Sequence, residues 1–207
     1  MLTNPASARG LAIFPLTILP LLALMPLLTG APTMDPPAEP ELCVIAPQTE
    51  TDRSSRSVAT VPLSQPTLFV REPLQRVRLL RGSTVVWERQ AGLEGAIQGP
   101  IAWPLPPLRA GESLRLQLQP AGSGPSAFAE IGLRAADGAT LRRSSALVTG
   151  LRADPAAWRR AVERAWTSGD ARLAAALLFA FEGPSAPDLD ALRLEAVQQS
   201  CLPGPAP

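Results

Sequence analysis

The stretch SLRLQLQP, residues 113–120, sets leucine against arginine and glutamine: Leu114, Leu116 and Leu118 alternate with Arg115, Gln117 and Gln119. Successive side chains of a strand point to opposite faces, so this period predicts a β-strand with one buried side. The same signal recurs around it. In TVPLSQPTLFVRE (60–72), Leu68 and Val70 share a face, and in QRVRLL (75–80), Val77 and Leu79 oppose Arg76 and Arg78. Arg81-Gly82-Ser83 reads as a tight turn, after which STVVWERQ (83–90) places Val85 and Trp87 together. AIQGPIAWPL (96–105) is a strand candidate broken by Gly99-Pro100, and AFAEIGLRAA (127–136) offers Ala129, Ile131 and Leu133. Asp137-Gly138 is a hairpin-turn dipeptide, from which ATLRRSSALV (139–148) returns as a further strand. Seven or eight short strands at regular spacing predict a mainly β chain with an antiparallel sandwich over residues 58–150.

Past Gly150 the period becomes helical. Asp154-Pro155 is a cap followed by a proline at the first helical position, and Trp158, Ala161, Val162, Ala165 and Trp166 then share a face. Gly169 stops that helix and Asp170 caps the next, whose stripe is Leu173, Ala174, Leu177, Leu178 and Phe181. Gly183-Pro184 ends it, and a third helix is expected from Pro187 to Gln199. The expectation is a bundle of about three short helices over 151–201, closing the chain as a helical cap, with a disordered tail at 202–207.

The N-terminus carries a different signal. Leu11–Gly30 is a run of 20 residues without a charge, and about 20 apolar residues can cross a bilayer as a helix. Arg9 lies before the run; Asp35, Glu39 and Glu41 follow it, which directs the bulk of the chain out of the cytoplasm. Residues 1–31 read as a signal peptide or a retained membrane anchor. Small residues at Thr29-Gly30-Ala31 favour cleavage, and the length of the run favours retention. Residues 32–57 are rich in Pro, Ser and Thr and read as a linker, interrupted by the apolar piece Leu42-Cys43-Val44-Ile45.

Composition narrows the chemistry. The net charge is +1, and the chain has neither His nor Tyr. Its 19 basic residues are all Arg. Catalytic triads and dyads that need His, zinc sites built on His, and Schiff-base chemistry on Lys are therefore absent. Only carboxylates are left as catalytic groups, and Glu88, Glu94, Glu112, Glu130, Asp188 and Asp190 show no spacing that asks for catalysis. No residue is expected to be catalytic, to ligate a metal or to bind a cofactor. The glycine-rich stretches lack the ending of a phosphate loop. Low aromatic content and the absence of a strong basic field speak against nucleic acid.

Two cysteines, Cys43 and Cys201, bracket the folded part. Outside the cytoplasm they are candidates for a disulfide closing most of the chain. Arg76, Arg78 and Arg115, on the polar sides of their strands, form a candidate partner surface with Trp158 and Trp166. An anionic glycan, a lipid headgroup or an acidic envelope protein would suit it. An ordinary solvated face and core tryptophans are the simpler accounts.

Residues 103–118, WPLPPLRAGESLRLQL, resemble a corner of immunoglobulin-like or fibronectin-type domains. Leu108, Gly111 and Leu114 fill the places of the leucine, the glycine and the first inward residue of the following strand. Leu114 stands where tyrosine is usual, so the corner lacks its hydroxyl. The whole layout is similar to cyanobacterial exported proteins of unknown function: an export segment, a sandwich with a Trp-Pro-Leu and Gly-Glu corner, and a helical tail opening at Asp154, Pro155 and Trp158. That resemblance spans about residues 58–200 and implies an immunoglobulin-like sandwich with no activity attached. The expected function is an extracytoplasmic binding or scaffolding module in the periplasm or secreted. The alternatives are a membrane-anchored accessory or sensor subunit, touching the membrane through 11–30, and a carboxylate-based glycan hydrolase.

Overall fold

The computed structural model describes residues 42–93, 95–183 and 185–200. The apolar run 11–30, the first ten residues of the expected linker, Glu94, Cys201 and the tail at 202–207 lie outside the described residues. Among those described, eight strands precede four helices: β1 (Val44–Ala46), β2 (Glu50–Thr51), β3 (Ser57–Val61), β4 (Phe69–Val70), β5 (Leu74–Arg81), β6 (Thr84–Gln90), β7 (Ser113–Pro120), β8 (Ala129–Ala135), α1 (Gly138–Leu151), α2 (Pro155–Thr167), α3 (Ala171–Ala180) and α4 (Pro187–Ser200). Helix and strand hold comparable shares. No helix among the described residues is long and apolar enough to cross a membrane.

β7, the strand of alternating leucines, sits inside a six-stranded sheet ordered β2-β3-β8-β7-β5-β6. Its register pairs Leu116 with Leu79 on one side and with Ile131 on the other. Val77, Leu79, Leu116 and Leu118 have no exposed surface, and Ile131 and Leu133 have almost none. Full burial of each such side chain contributes roughly 1.5–3 kcal/mol. The pairing departs from the expected antiparallel pattern at one place, because β3 runs parallel to β8 from Ser57↔Ile131 to Val61↔Ala135.

The layer facing these leucines is short. It consists of β1 paired antiparallel with β4 and the single bridge Leu68↔Ile101, while a second bridge, Leu74↔Ile97, ties this segment to the start of β5. Gly99, at φ +74°, turns the chain between the two bridging isoleucines, in a region that suits glycine. Val70, Leu68, Ile97, Ile101 and Leu108 close the first core over the sheet.

Three expectations are corrected here. First, residues 42–57 do not form a free linker. β1 pairs with β4, Ile45 and Ala46 are buried, and β2 pairs with β3. Second, Asp137-Gly138 is not a hairpin turn, and 139–148 is not a strand. The Asp137 carboxylate accepts from the backbone N–H groups of Ala139 and Thr140 and starts α1. Leu141, Ser144 and Leu151 are the residues α1 buries; positions three and seven apart share a helix face. Among the described residues four helices therefore follow the strands, and the strands give way to helix at 137 instead of 150. Third, Val85 and Trp87 do not share a face. A bulge at Val86 pairs Trp87 with core Leu79 but Val85 with Leu80, leaving Val85 44% exposed.

The helices build a second core. Trp158, Ala161, Val162 and Ala165 of α2 meet Ala174, Leu177, Leu178 and Phe179 of α3, with Leu189 of α4. Ile45 and Ala46 of β1 belong to this core too, and the Phe69 ring lies 4.8 Å from that of Phe179. The β1–β4 ribbon thus faces both cores. Leu68 and Val70 turn to the sheet, while Ile45 and Phe69 turn to the helices.

The α1 cap gives a testable sign. Hydrogen bonds from the Thr140 backbone, then its hydroxyl and the Ala139 backbone, hold the Asp137 carboxyl below the ordinary aspartate range. A depressed carboxyl contributes stability above its unfolded-state pKa and loses it as pH falls through the folded one. NMR titration should place the Asp137 midpoint below that of an unstructured peptide; a midpoint at or above it contradicts the cap.

Candidate functional site

The sheet's outward face carries the expected arginines. Register places Arg76 beside Gln119, Arg78 beside Gln117 and Leu80 beside Arg115, so the three guanidinium groups share one side of β5 and β7. Arg78 and Arg115 are hydrogen-bonded from within, while Arg76 Nε is buried and has no hydrogen-bond partner among the described residues. Arg78 Nε donates to Glu88 at 2.7 Å and its guanidinium lies 4.8 Å from the Phe128 ring centre. Arg76 Nε lies 3.7 Å from the same Glu88. Arg115 bonds Glu130 and the Gly82 carbonyl, and Gln117 donates to the same Glu130. Arg81 pairs with Glu112, whose carboxyl is held low chiefly by the Arg109 backbone N–H and then by Arg81. Three of the four glutamates that sequence offered as catalytic candidates, Glu88, Glu112 and Glu130, therefore serve as ion-pair partners. Among the described residues no group of three or more His, Cys, Asp or Glu could hold a metal.

The two helical tryptophans part company. Trp158 is core: 4% exposed, 5.6 Å from the Phe181 ring, with Nε1 donating to the Arg152 carbonyl at 2.7 Å. It adds nothing to a partner surface. Trp166 is 61% exposed and borders a shallow groove of about 400 Å³ with Leu178, Leu192 and Ala196. A second depression, of about 520 Å³, lies between the starts of α2 and α4. Its charges are matched: Arg159 to Glu163 and Asp188, and Arg160 to Asp154.

A third depression differs from both. This cleft of about 490 Å³ opens where the β3–β4 loop, the segment after Ile101, α1 and the end of α3 meet. The loop contributes Leu63, Ser64, Gln65 and Thr67; the segment contributes Ala102 and Trp103. α1 presents Ser145, Val148 and Thr149, spaced three and four apart on one face, and the chain leaving α3 supplies Ala180 and Glu182.

The walls are fixed by bonds behind them. Leu68 and Ile101 exchange backbone hydrogen bonds of 2.9 and 2.8 Å, which hold the strands carrying Thr67 and Ala102 side by side. Leu108 N–H donates to the Ser64 carbonyl. Ser144, one residue before the cleft-facing Ser145, is 3% exposed and donates its hydroxyl to the Pro62 carbonyl, pinning α1 against the loop. Arg193 of α4 donates to the carbonyls of Leu178 and Phe181, so a cation closes the end of α3 just before Glu182.

Within the lining, the Thr149 hydroxyl donates to the Ser145 carbonyl at 2.9 Å, and several other polar groups are unengaged. Thr67 is 8% exposed, yet no described residue hydrogen-bonds its hydroxyl. The side chains of Gln65, Ser145 and Glu182 likewise have no hydrogen bond or ion pair among the described residues. Trp103 Nε1 donates to the Pro106 carbonyl at 3.1 Å, so the ring offers the cleft only apolar surface. Glu182 is the single charge of the lining.

The chain matches no family model, no curated protein and no solved structure.

The sequence places Trp103 in the strand candidate 96–105 and gives no sign of Thr67 or Glu182 as site residues. The pieces come from four separated segments, and no spacing links them. The one local hint is the pair Ser144-Ser145 in a helix, where one hydroxyl is used for packing and the other is not.

Two substitutions separate these roles. Thr67→Val should leave stability within about 0.5 kcal/mol of the parent, because no protein group loses a partner. Ser144→Ala should lower it by about 1 kcal/mol or more, because a buried hydrogen bond is lost. Urea unfolding measures both; a Thr67→Val loss equal to that of Ser144→Ala would contradict the free hydroxyl.

Proposed function

We propose that this chain is an extracytoplasmic binding module without catalytic activity, and that the cleft around Thr67 is where it binds. The carrying observation is the cleft lining, where the Thr67 hydroxyl and the side chains of Gln65, Ser145 and Glu182 have no protein partner among the described residues. The fully buried unpartnered side-chain atoms, Arg76 Nε and Gln119 Oε1, lie outside this lining, whereas the Thr67 hydroxyl opens to the cleft, where an arriving ligand can bond it. The volume falls within the roughly 300–1,000 Å³ usual for small-molecule sites. Hydrolysis of a glycoside ordinarily uses two carboxylates flanking the bond, and the lining holds Glu182 alone, which favours binding over cleavage.

Location outside the cytoplasm rests on the uncharged run 11–30 and on Cys43, which is disulfide-bonded. Such bonds persist in oxidising compartments. Cys201 is our choice of partner: it follows α4 directly, and α4 packs on β1 beside Cys43. The immunoglobulin-like reading of the strands draws support from the order β8-β7-β5, which follows that of strands G, F and C in such domains. In that reading residues 103–118 are the corner entering β7. The internal pairing of Arg76, Arg78 and Arg115 weighs against an anionic ligand on the outer sheet face.

A photoreactive side chain at position 65, introduced into the full chain in its native cells, tests the proposal. Irradiation should yield an adduct with an envelope component. The adduct should be absent when the probe sits at Gln90 on the sheet edge and diminished by Thr67→Val. Equal adducts at both positions, or none at position 65, would overturn it.

A further inference from the structure

We infer that the cleft takes an uncharged saccharide, two or three sugar units long, from an envelope or extracellular glycan. This rests on the reading of the chain as a binding module and names its ligand class. Five neutral hydrogen-bonding residues line the site: Ser64, Gln65, Thr67, Ser145 and Thr149. Hydroxyl and amide groups both donate and accept, which matches sugar hydroxyls that do the same. Glu182 supplies an acceptor able to receive two neighbouring hydroxyls at once, and charge-assisted bonds of this kind are the stronger ones. Trp103, with its N–H already committed to Pro106, adds the apolar surface against which the C–H side of a pyranose packs.

Other ligand classes fit less well. The lining carries no Arg, so an anion would meet one carboxylate and no cation. A quaternary amine calls for an aromatic cage, and Trp103 is the only ring in the lining. A wholly apolar ligand would bury the Thr67 hydroxyl and Glu182 without partners. The arginines that suggested an anionic glycan lie on the outward sheet face and are paired with Glu88 and Glu130.

The test is calorimetric titration of the exported chain with neutral trisaccharides (glucose, N-acetylglucosamine and mannose series) and with a sulfated and a uronate trisaccharide. At least one neutral trisaccharide should bind, at least tenfold more tightly than either anionic one. Thr67→Val and Glu182→Gln should each weaken that binding tenfold or more with an unchanged melting temperature, while Arg78→Gln should not weaken it. No binding by any neutral sugar, anionic sugars binding as well as neutral ones, or full affinity in Thr67→Val would each overturn the inference. Failure here with a specific adduct at position 65 sinks the saccharide and leaves the binding module standing; failure of both sinks the two together. Shortening of a bound trisaccharide would keep the saccharide site and overturn the non-catalytic reading.

Discussion

The structure depends on a ribbon of five residues buried from two sides. β1 and β4 pair with each other, and their alternating side chains go to different cores: Val44 and Val70 to the sheet, Ile45 and Phe69 to the helices. A register irregularity between Val44 and Ala46 lets Ile45 and Ala46 both enter the helical core while Val44 goes to the sheet. A strand with water on one side would hold one core. This ribbon contributes to both, so the sheet and the helices lose contact surface together if it leaves. α1 repeats the device along its length, placing Leu141 in the first core and Leu151 in the second. The cleft exists because these two cores are held at a fixed spacing, and its walls come from both.

Much of this was legible in the sequence. The leucine alternation of 113–120, the paired strand at 75–80 and the caps Asp154 and Asp170 sit where periodicity and helix chemistry put them. What was missed shares one cause: a local signal with two readings, settled by distant contacts. Asp137-Gly138 suits a turn or a helix cap alike, and the buried positions Leu141, Ser144 and Leu151 decide for the cap. The apolar piece Leu42-Cys43-Val44-Ile45 is too short to announce itself as a strand; its second half enters β1 (Val44–Ala46) because β4 lies beside it and hydrophobic surface waits on both faces. The bulge at Val86 inverts Val85, which no alternation rule can show.

The candidate site was the least legible part for a related reason. Sequence reasoning looks for chemistry in conspicuous residues, and the arginines and tryptophans of this chain were conspicuous. Most of them are used internally: Arg78 and Arg115 on glutamates, Arg193 on helix carbonyls, Trp158 in the core. The cleft residues left without a partner are ordinary ones, a threonine, a glutamine and a serine, and their availability is a property of three-dimensional neighbours. Among the described residues, Glu182 stands apart from the other carboxylates because it has neither an ion pair nor a hydrogen bond.

The central claim is that the ribbon makes sheet and helices one cooperative body. Native-state hydrogen exchange tests it directly, by comparing the slowest amides of β7, such as Leu116, with those of α3, such as Leu177. The account predicts that both exchange through the same global opening, with equal free energies that fall in parallel in Phe69→Ala. Exchange of α3 through a separate opening of much lower free energy, while β7 keeps its protection, would contradict it.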